Sequence, residues 1–364
     1  MKLADLPTPC LVLDRPALLR NLRTMADAVA RHGVMLRPHM KTAKSIDVLR
    51  LAGTASITVS TLAEAEYFAG HGVRDILYAV GITPQKLDRV AALNRGGADV
   101  IVITDDPAAA AAVAAHPAPI RALAEVDSGE HRGGTAPDDG RLLAVAATLG
   151  PRLAGVLTHG GHSYAGRTMA DMQAVAEAER ASVTAAADRL RAAGHTVPIV
   201  SMGSSPTALH ALHMAGVTEV RAGVYMFGDL FQASIGTHAQ SDIAVTVLAS
   251  VIGLRPAEHR LLVDAGGVAL SKDRSTQETD DMGFGLVLDA DGRPALGRAT
   301  VRHAYQEHGV VDCDPSLPFP DLPIGALLRI APNHTCMTAA AHDRYYVVDG
   351  TDAVVAEWPR VNGW

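Results

Sequence analysis

From residue 34 onward the apolar positions follow two alternating patterns, short runs rich in β-branched residues and longer alanine-rich stretches with helical patterning. The short runs at 34–40, 56–60, 75–80, 98–104, 120–127, 152–159, 197–202 and 219–226 predict eight strands. Helices are expected between them, as at 61–71, 84–94 and 169–193, and Thr61, Thr83 and Asp106 stand at expected N-cap positions. Strand–helix alternation implies parallel strands with right-handed crossovers, and eight strands is the number that closes a (β/α)8 TIM barrel. An open doubly wound sheet would satisfy the same alternation. A ninth strand at 10–13, ahead of a helix at 16–30, is expected outside the barrel. After residue 235 the pattern changes: 244–254, 260–264, 325–330, 345–348 and 353–357 read as strands joined by Gly-, Pro- and Asp-rich turns. The expected organisation is an α/β chain with a barrel over 14–235 and a β-rich domain from 1–13 plus 236–364.

Composition narrows the function. A length of 364 residues suits a barrel of about 250 residues with a smaller second domain. A hydrophobic fraction of 48% and a mean hydropathy of +0.14 indicate large buried cores rather than extended disorder. Lys plus Arg is 32 against 39 Asp plus Glu, a net charge of −7 with no basic tract, which argues against nucleic acid as a partner. The amino terminus has no apolar run of signal-peptide length and no stretch is long enough to span a bilayer, so a cytoplasmic protein with no membrane partner is expected. Three cysteines, Cys10, Cys313 and Cys336, argue against a disulfide framework.

The candidate chemistry collects at strand ends. The run Arg37-Pro38-His39-Met40-Lys41-Thr42-Ala43-Lys44 puts Lys41 at the exit of the first barrel strand, where barrel enzymes keep reactive groups. Partial burial there is expected to lower the ammonium pKa and make the amine a nucleophile or base. The fifth strand ends in carboxylates, Arg132 and glycines, and the sixth in His159-Gly160-Gly161-His162-Ser163-Tyr164. The seventh ends Gly203-Ser204-Ser205 before a helix, and the eighth ends Arg221-Ala222-Gly223-Val224-Tyr225. The loops after strands seven and eight are where barrels commonly hold phosphate. In the second domain, Asn333-His334-Thr335-Cys336 offers a nitrogen and a thiolate. If it continues the preceding strand in extended form, side chains two apart share a face and suit one Zn²⁺ ion. Two protein ligands are too few for a structural zinc site and leave positions open for water or substrate.

Taken together these residues resemble the D-serine dehydratase and D-threonine aldolase family, fold type III enzymes that use pyridoxal 5′-phosphate (PLP). The likeness runs from Thr8-Pro9-Cys10 through the Lys41 run and Gly161-His162-Ser163-Tyr164. It continues through Asp264-Ala265-Gly266, Ser271-Lys272-Asp273 and Glu307-His308-Gly309 to Asn333-His334-Thr335-Cys336. The resemblance implies an alanine-racemase-like barrel with a β-rich domain formed by both chain ends. It implies that Lys41 carries PLP and that His334 and Cys336 bind the metal, Zn²⁺ or else Mn²⁺ or another divalent ion. Ser204, Ser205, Gly223 and Val224 match the phosphate loops, with Tyr225 nearby, and Arg132 and Tyr164 match positions close to the cofactor. His162 or His308 is a candidate acid–base residue. Ala43-Lys44 departs from the Thr-His-Lys frequent in relatives, which puts any contact of that histidine in doubt here. The His-x-Cys form resembles the zinc-dependent dehydratase branch. The implied activity is dehydration of a small 3-hydroxy-D-amino acid, D-serine or D-threo-3-hydroxyaspartate, to a 2-oxo acid and ammonia by a homodimer. Retro-aldol cleavage to glycine and an aldehyde is the alternative, with a racemase or a non-catalytic PLP-binding protein more distant.

Overall fold

The computed structural model describes all residues, 1–364. Its contacts divide the chain into two units: Thr24–Gly223 with Val361–Trp364, and Met1–Arg23 with Val224–Arg360.

The first unit is a parallel barrel. Its eight strands are Met35–Pro38, Ser56–Val59, Asp75–Gly81, Asp99–Thr104, Arg121–Val126, Leu153–Thr158, Ile199–Met202 and Glu219–Ala222. Each pairs with its successor from the second to the eighth, and the eighth pairs with the first. A bridge between His39 and Thr58 joins the first strand's exit to the second strand and closes the barrel, with Met40 N–H donating to the Thr58 carbonyl at 2.8 Å. His39 N–H donates to the Ala222 carbonyl at 2.7 Å. The residues just before Lys41 therefore form the closing seam. The eighth strand ends at Ala222, shorter than the predicted 219–226, and Val224–Met226 forms a 3₁₀ turn instead. Thr61 and Asp106 cap their helices as expected, Thr61 accepting from Glu64 N–H at 3.1 Å. Thr83 makes no capping bond, because a 3₁₀ turn at Pro84–Lys86 precedes the helix Leu87–Arg95.

The barrel interior is split in character. Leu77, Ile101, Ile103, Leu123, Ala154 and Leu157 form an apolar cluster. Beside them lies an ion-paired network in which buried Arg37 donates to Glu219 at 2.9 Å and to Asp75, two residues before Leu77, at 2.7 Å. Glu219 accepts from the Ser201 hydroxyl at 2.7 Å. The two-residue strand period puts Arg221 on the same face as Glu219, one step nearer the C-terminal rim.

The second unit is built on a nine-stranded sheet. Val245–Arg255, Arg260–Val263, Gly309–Asp312, Thr300–Ala304, Leu286–Leu288 and Leu327–Ala331 pair in that order and close on themselves, extended by Cys10–Asp14, Arg344–Val348 and Val354–Pro359. The N-terminal strand thus belongs to the β-rich unit, antiparallel to Val245–Arg255 and parallel to Arg344–Val348. The strands 286–288, 300–304 and 309–312 were not expected from sequence, since they are short and set among glycines and charges. No helix is long and apolar enough to cross a membrane.

Candidate active site

Lys41 lies in the turn after the first barrel strand, at the C-terminal rim. It is exposed, so the expected partial burial is absent: the residue lies in the turn beyond the strand rather than in the packed barrel. Its N–H donates to His39 Nδ1 at 3.4 Å. Lys44 differs; its ammonium pairs with the buried Glu64 carboxylate at 3.0 Å.

Around Lys41 the barrel gathers two cationic guanidiniums and two neutral imidazoles. Burial, reinforced by the charges of Lys41, Arg221 and Arg132, holds His39 well below the usual histidine range. His159 is pushed down to about 3, chiefly by burial, against the opposing pull of its bond to the Gly203 carbonyl and with help from Lys41, Arg132 and Arg221. Its Nδ1–H donates to that carbonyl at 2.8 Å, which fixes the tautomer and leaves Nε2 as an acceptor. Arg221 is 5% exposed and donates to the Ser201 hydroxyl at 2.5 Å. Arg132 is exposed at the rim, 3.5 Å from Glu130.

Behind these groups the loops after strands six, seven and eight are tied together. Ser204 caps the short helix Ser205–His210, and its hydroxyl meets that of Ser163 at 2.8 Å. Ser205 is fully buried. Glu179, on the long helix Met169–Ala192, accepts N–H bonds from Gly160 at 2.6 Å and Gly203 at 2.8 Å, and burial raises its pKa. A Cβ on Gly223 would lie 3.0 Å from the His39 carbonyl oxygen. His162 and Tyr164 sit in the 3₁₀ turn Gly161–Ala165, half-buried, with His162 Nδ1 buried and unpartnered. Val224 and Tyr225 follow Gly223 but belong to the second unit, where both are buried and burial raises the Tyr225 phenol. An open primary amine, buried hydroxyls and glycine-tight loops at strand ends are a donor set that fits PLP.

In the second unit the His-x-Cys pair is not extended. His334 is the N-cap of the helix Thr335–Ala339 and Cys336 lies in its first turn, because the strand ends at Ala331. The Cys336 side chain still lies close enough to act on the His334 ring. His334 Nδ1 is 3.1 Å from the carboxylate of Asp229, which is fully buried. Burial would lower His334, but the Cys336 thiolate and Asp229 outweigh it and raise it to about 11. No group of three or more His, Cys, Asp or Glu is placed to hold a metal, and two protein ligands are fewer than a structural zinc site uses. His308 is exposed in a turn of the same unit.

Sequence reasoning marked His159 only as one of two histidines at the sixth strand's exit, and did not single out His39, Arg221, Glu179 or Asp229. His39 stood inside the Lys41 run and Arg221 inside the eighth-strand motif, but only the fold shows them converging. Asp229 lies more than a hundred residues from His334, and no local spacing signals it.

Two family models match the chain: the alanine racemase N-terminal domain over residues 13–230, and the serine dehydratase domain over residues 244–348. The D-threo-3-hydroxyaspartate dehydratase of Delftia sp. (strain HT23) is 44% identical, covering 100% of this chain and 99% of that protein. Its solved structure covers 100% of both chains with a TM-score of 0.95. A cysteine-to-alanine variant of a D-threo-3-hydroxyaspartate dehydratase has been solved in the metal-free form. The D-serine dehydratase of Dictyostelium discoideum is 29% identical over 99% of this chain and 98% of that protein. The 3-hydroxy-D-aspartate aldolase of Paracoccus denitrificans (strain Pd 1222) is 30% identical over 98% of this chain and 92% of that protein. With these relatives spanning both units, the chain belongs to the alanine-racemase-like D-serine dehydratase and D-threonine aldolase family of PLP-dependent lyases.

Proposed function

We propose that the protein is a cytoplasmic, homodimeric, PLP- and zinc-dependent dehydratase of 3-hydroxy-D-amino acids, acting on D-threo-3-hydroxyaspartate or D-serine. The observation that carries the reading is one chain holding an open lysine amine among neutral imidazoles at a barrel rim together with a His–Cys pair backed by a buried carboxylate. The similarity to the Delftia dehydratase across the whole chain supports dehydration.

Lys41 would hold PLP, with Ser204, Ser205, Gly223 and Val224 around its phosphate and Arg132, Tyr164 and Tyr225 close by. PLP supplies an electron sink for negative charge at a substrate α-carbon. His334 and Cys336 would hold the divalent cation, which supplies Lewis acidity toward a hydroxyl leaving group. Lys41 Nζ takes the α-proton. Neutral His39 and His159 add no cationic charge beside that amine, and the fixed Nδ1–H of His159 leaves its Nε2 able to accept a hydrogen bond. Arg221, held by Ser201, keeps a positive charge at the rim. His162, with its unpartnered nitrogen, is the candidate for a second proton carrier.

The test incubates the zinc-loaded enzyme with D-threo-3-hydroxyaspartate, D-serine and D-threonine and measures ammonia and 2-oxo acid against glycine and aldehyde. Ammonia with oxaloacetate or pyruvate is expected, and Lys41→Ala should lose both turnover and the visible absorbance of the bound cofactor. Aldehyde without ammonia would replace the dehydratase reading with the retro-aldol one, which the Paracoccus relative keeps in view.

A further inference from the structure

The fully buried carboxylate of Asp229 stands behind the His–Cys pair without a role assigned to it above, and it is held on both oxygens. Its Oδ1 accepts Gln232 N–H at 2.8 Å and caps the helix Leu230–Ser234. Its Oδ2 accepts Thr335 N–H at 3.2 Å and lies 3.1 Å from His334 Nδ1. The segments on either side are fastened to each other. Leu230 N–H donates to the Pro332 carbonyl at 3.0 Å, Phe231 N–H to the Asn333 carbonyl at 3.2 Å, and the Thr335 hydroxyl to the Gly228 carbonyl at 2.6 Å. Asn333 in turn donates to the carbonyls of Asp273 at 3.0 Å and Gly283 at 2.7 Å.

A carboxylate pinned this way, already accepting on Oδ1 and Oδ2, can only accept from the imidazole. It therefore selects the tautomer with hydrogen on Nδ1 and directs the lone pair of Nε2 elsewhere. Histidines that ligate metals commonly donate their second nitrogen to such a carboxylate, which orients the ring and raises its basicity. We propose that Asp229 is the positioning residue of the metal pair: it holds His334 in the Nδ1–H tautomer and presents Nε2 to the cation. This rests on the assignment of His334 and Cys336 as metal ligands.

The experiment strips the PLP-loaded wild type, Asp229→Asn and Thr335→Val of metal and titrates each with Zn²⁺ against a chromophoric chelator at one pH. Asp229→Asn should bind zinc about 10–100-fold more weakly while keeping cofactor absorbance and a cooperative melt. Thr335→Val loosens the same turn but spares the carboxylate, and it should keep wild-type zinc affinity. Equal affinity in Asp229→Asn, or an equal loss in Thr335→Val, overturns the proposal. Should Asp229→Asn fail to fold, ring ¹⁵N shifts of the zinc-loaded wild type decide, with the His334 signals identified by their loss in His334→Ala. Metal on Nε2 with hydrogen on Nδ1 is expected, and metal on Nδ1 overturns the proposal. A wild type that binds no zinc removes the ligand assignment beneath it and the proposal together, whereas wild-type binding matched by Asp229→Asn removes the proposal alone.

Discussion

The residues that make the rim unusual are those whose charge state the fold sets. His159 has one nitrogen committed to the Gly203 carbonyl and cationic neighbours, so the folded chain resists protonating it from its ordinary 6.5 down to about 3. The unfolded chain takes up that proton below about pH 6.5. Between the two values the unfolded state binds more protons, so stability falls as the pH drops, by up to about 1.4 kcal/mol per pH unit from this group. Thermal melts at about pH 7.5 and 5.5 should show a smaller pH-dependent loss in His159→Asn than in the wild type. Equal losses would mean His159 titrates normally in the fold. Cys336 sits at the other chemical centre. Cys336→Ala should retain the visible absorbance of bound cofactor while losing stoichiometric zinc by metal analysis and most ammonia release. Full activity in the presence of EDTA would remove the metal from the reading. Both candidate reactive side chains, Lys41 and Cys336, were legible in the sequence as chemical types in telling company. The burial of their neighbours was not, since a histidine in a sequence string has no environment until the strands close around it.

At the scale of elements, strand exits carry the function and the sequence marks them well. Seven of the eight barrel strands fall within the predicted runs of β-branched residues and the third passes its run by one residue, Gly81, because parallel strands buried on both faces must be apolar through their length. Ends are less legible. The eighth strand stops at Ala222 because the next residue, Gly223, packs against His39 and Thr42, and a 3₁₀ turn replaces the expected continuation. The predicted extended His-x-Cys became a helix start for the same kind of reason, its backbone being fastened to the segment 228–231. Gly203 illustrates how tightly these exits are drawn. Its φ is +133° and a Cβ there would collide with the Arg221 backbone. Gly194 has a φ of +88° but open space around it. Gly194→Ala should therefore lose only backbone strain, about 1 kcal/mol. Gly203→Ala must also displace the eighth strand and should show a clearly larger drop in melting temperature together with weakened cofactor binding. Matching drops in the two variants would show that the Arg221 contact relaxes without cost.

For the whole molecule, the N-terminal strand ties the start of the chain to its last third. Cys10–Asp14 runs between Val245–Arg255 and Arg344–Val348, and Leu11, Val12 and Leu13 have no exposure. Burying those three side chains is worth roughly 5–9 kcal/mol, comparable with the about 5–15 kcal/mol by which a domain is usually stable. Deleting residues 1–14 should leave the β-rich unit unfolded, seen as insolubility or rapid limited proteolysis within 224–360. A truncated chain as protease-resistant as the full one would contradict this. The sequence alone determined the alternating barrel, the β-rich second part, the lysine at a strand exit and the neighbouring imidazole and thiol, since all of these are written in local periodicity and short motifs. Only the tertiary structure decided that His39 and His159 are neutral beside Lys41, that Glu179 fastens two loops, and that Asp229 stands behind His334. Those properties arise from desolvation and hydrogen bonds between residues tens to hundreds of positions apart, and no local pattern encodes contacts at that range.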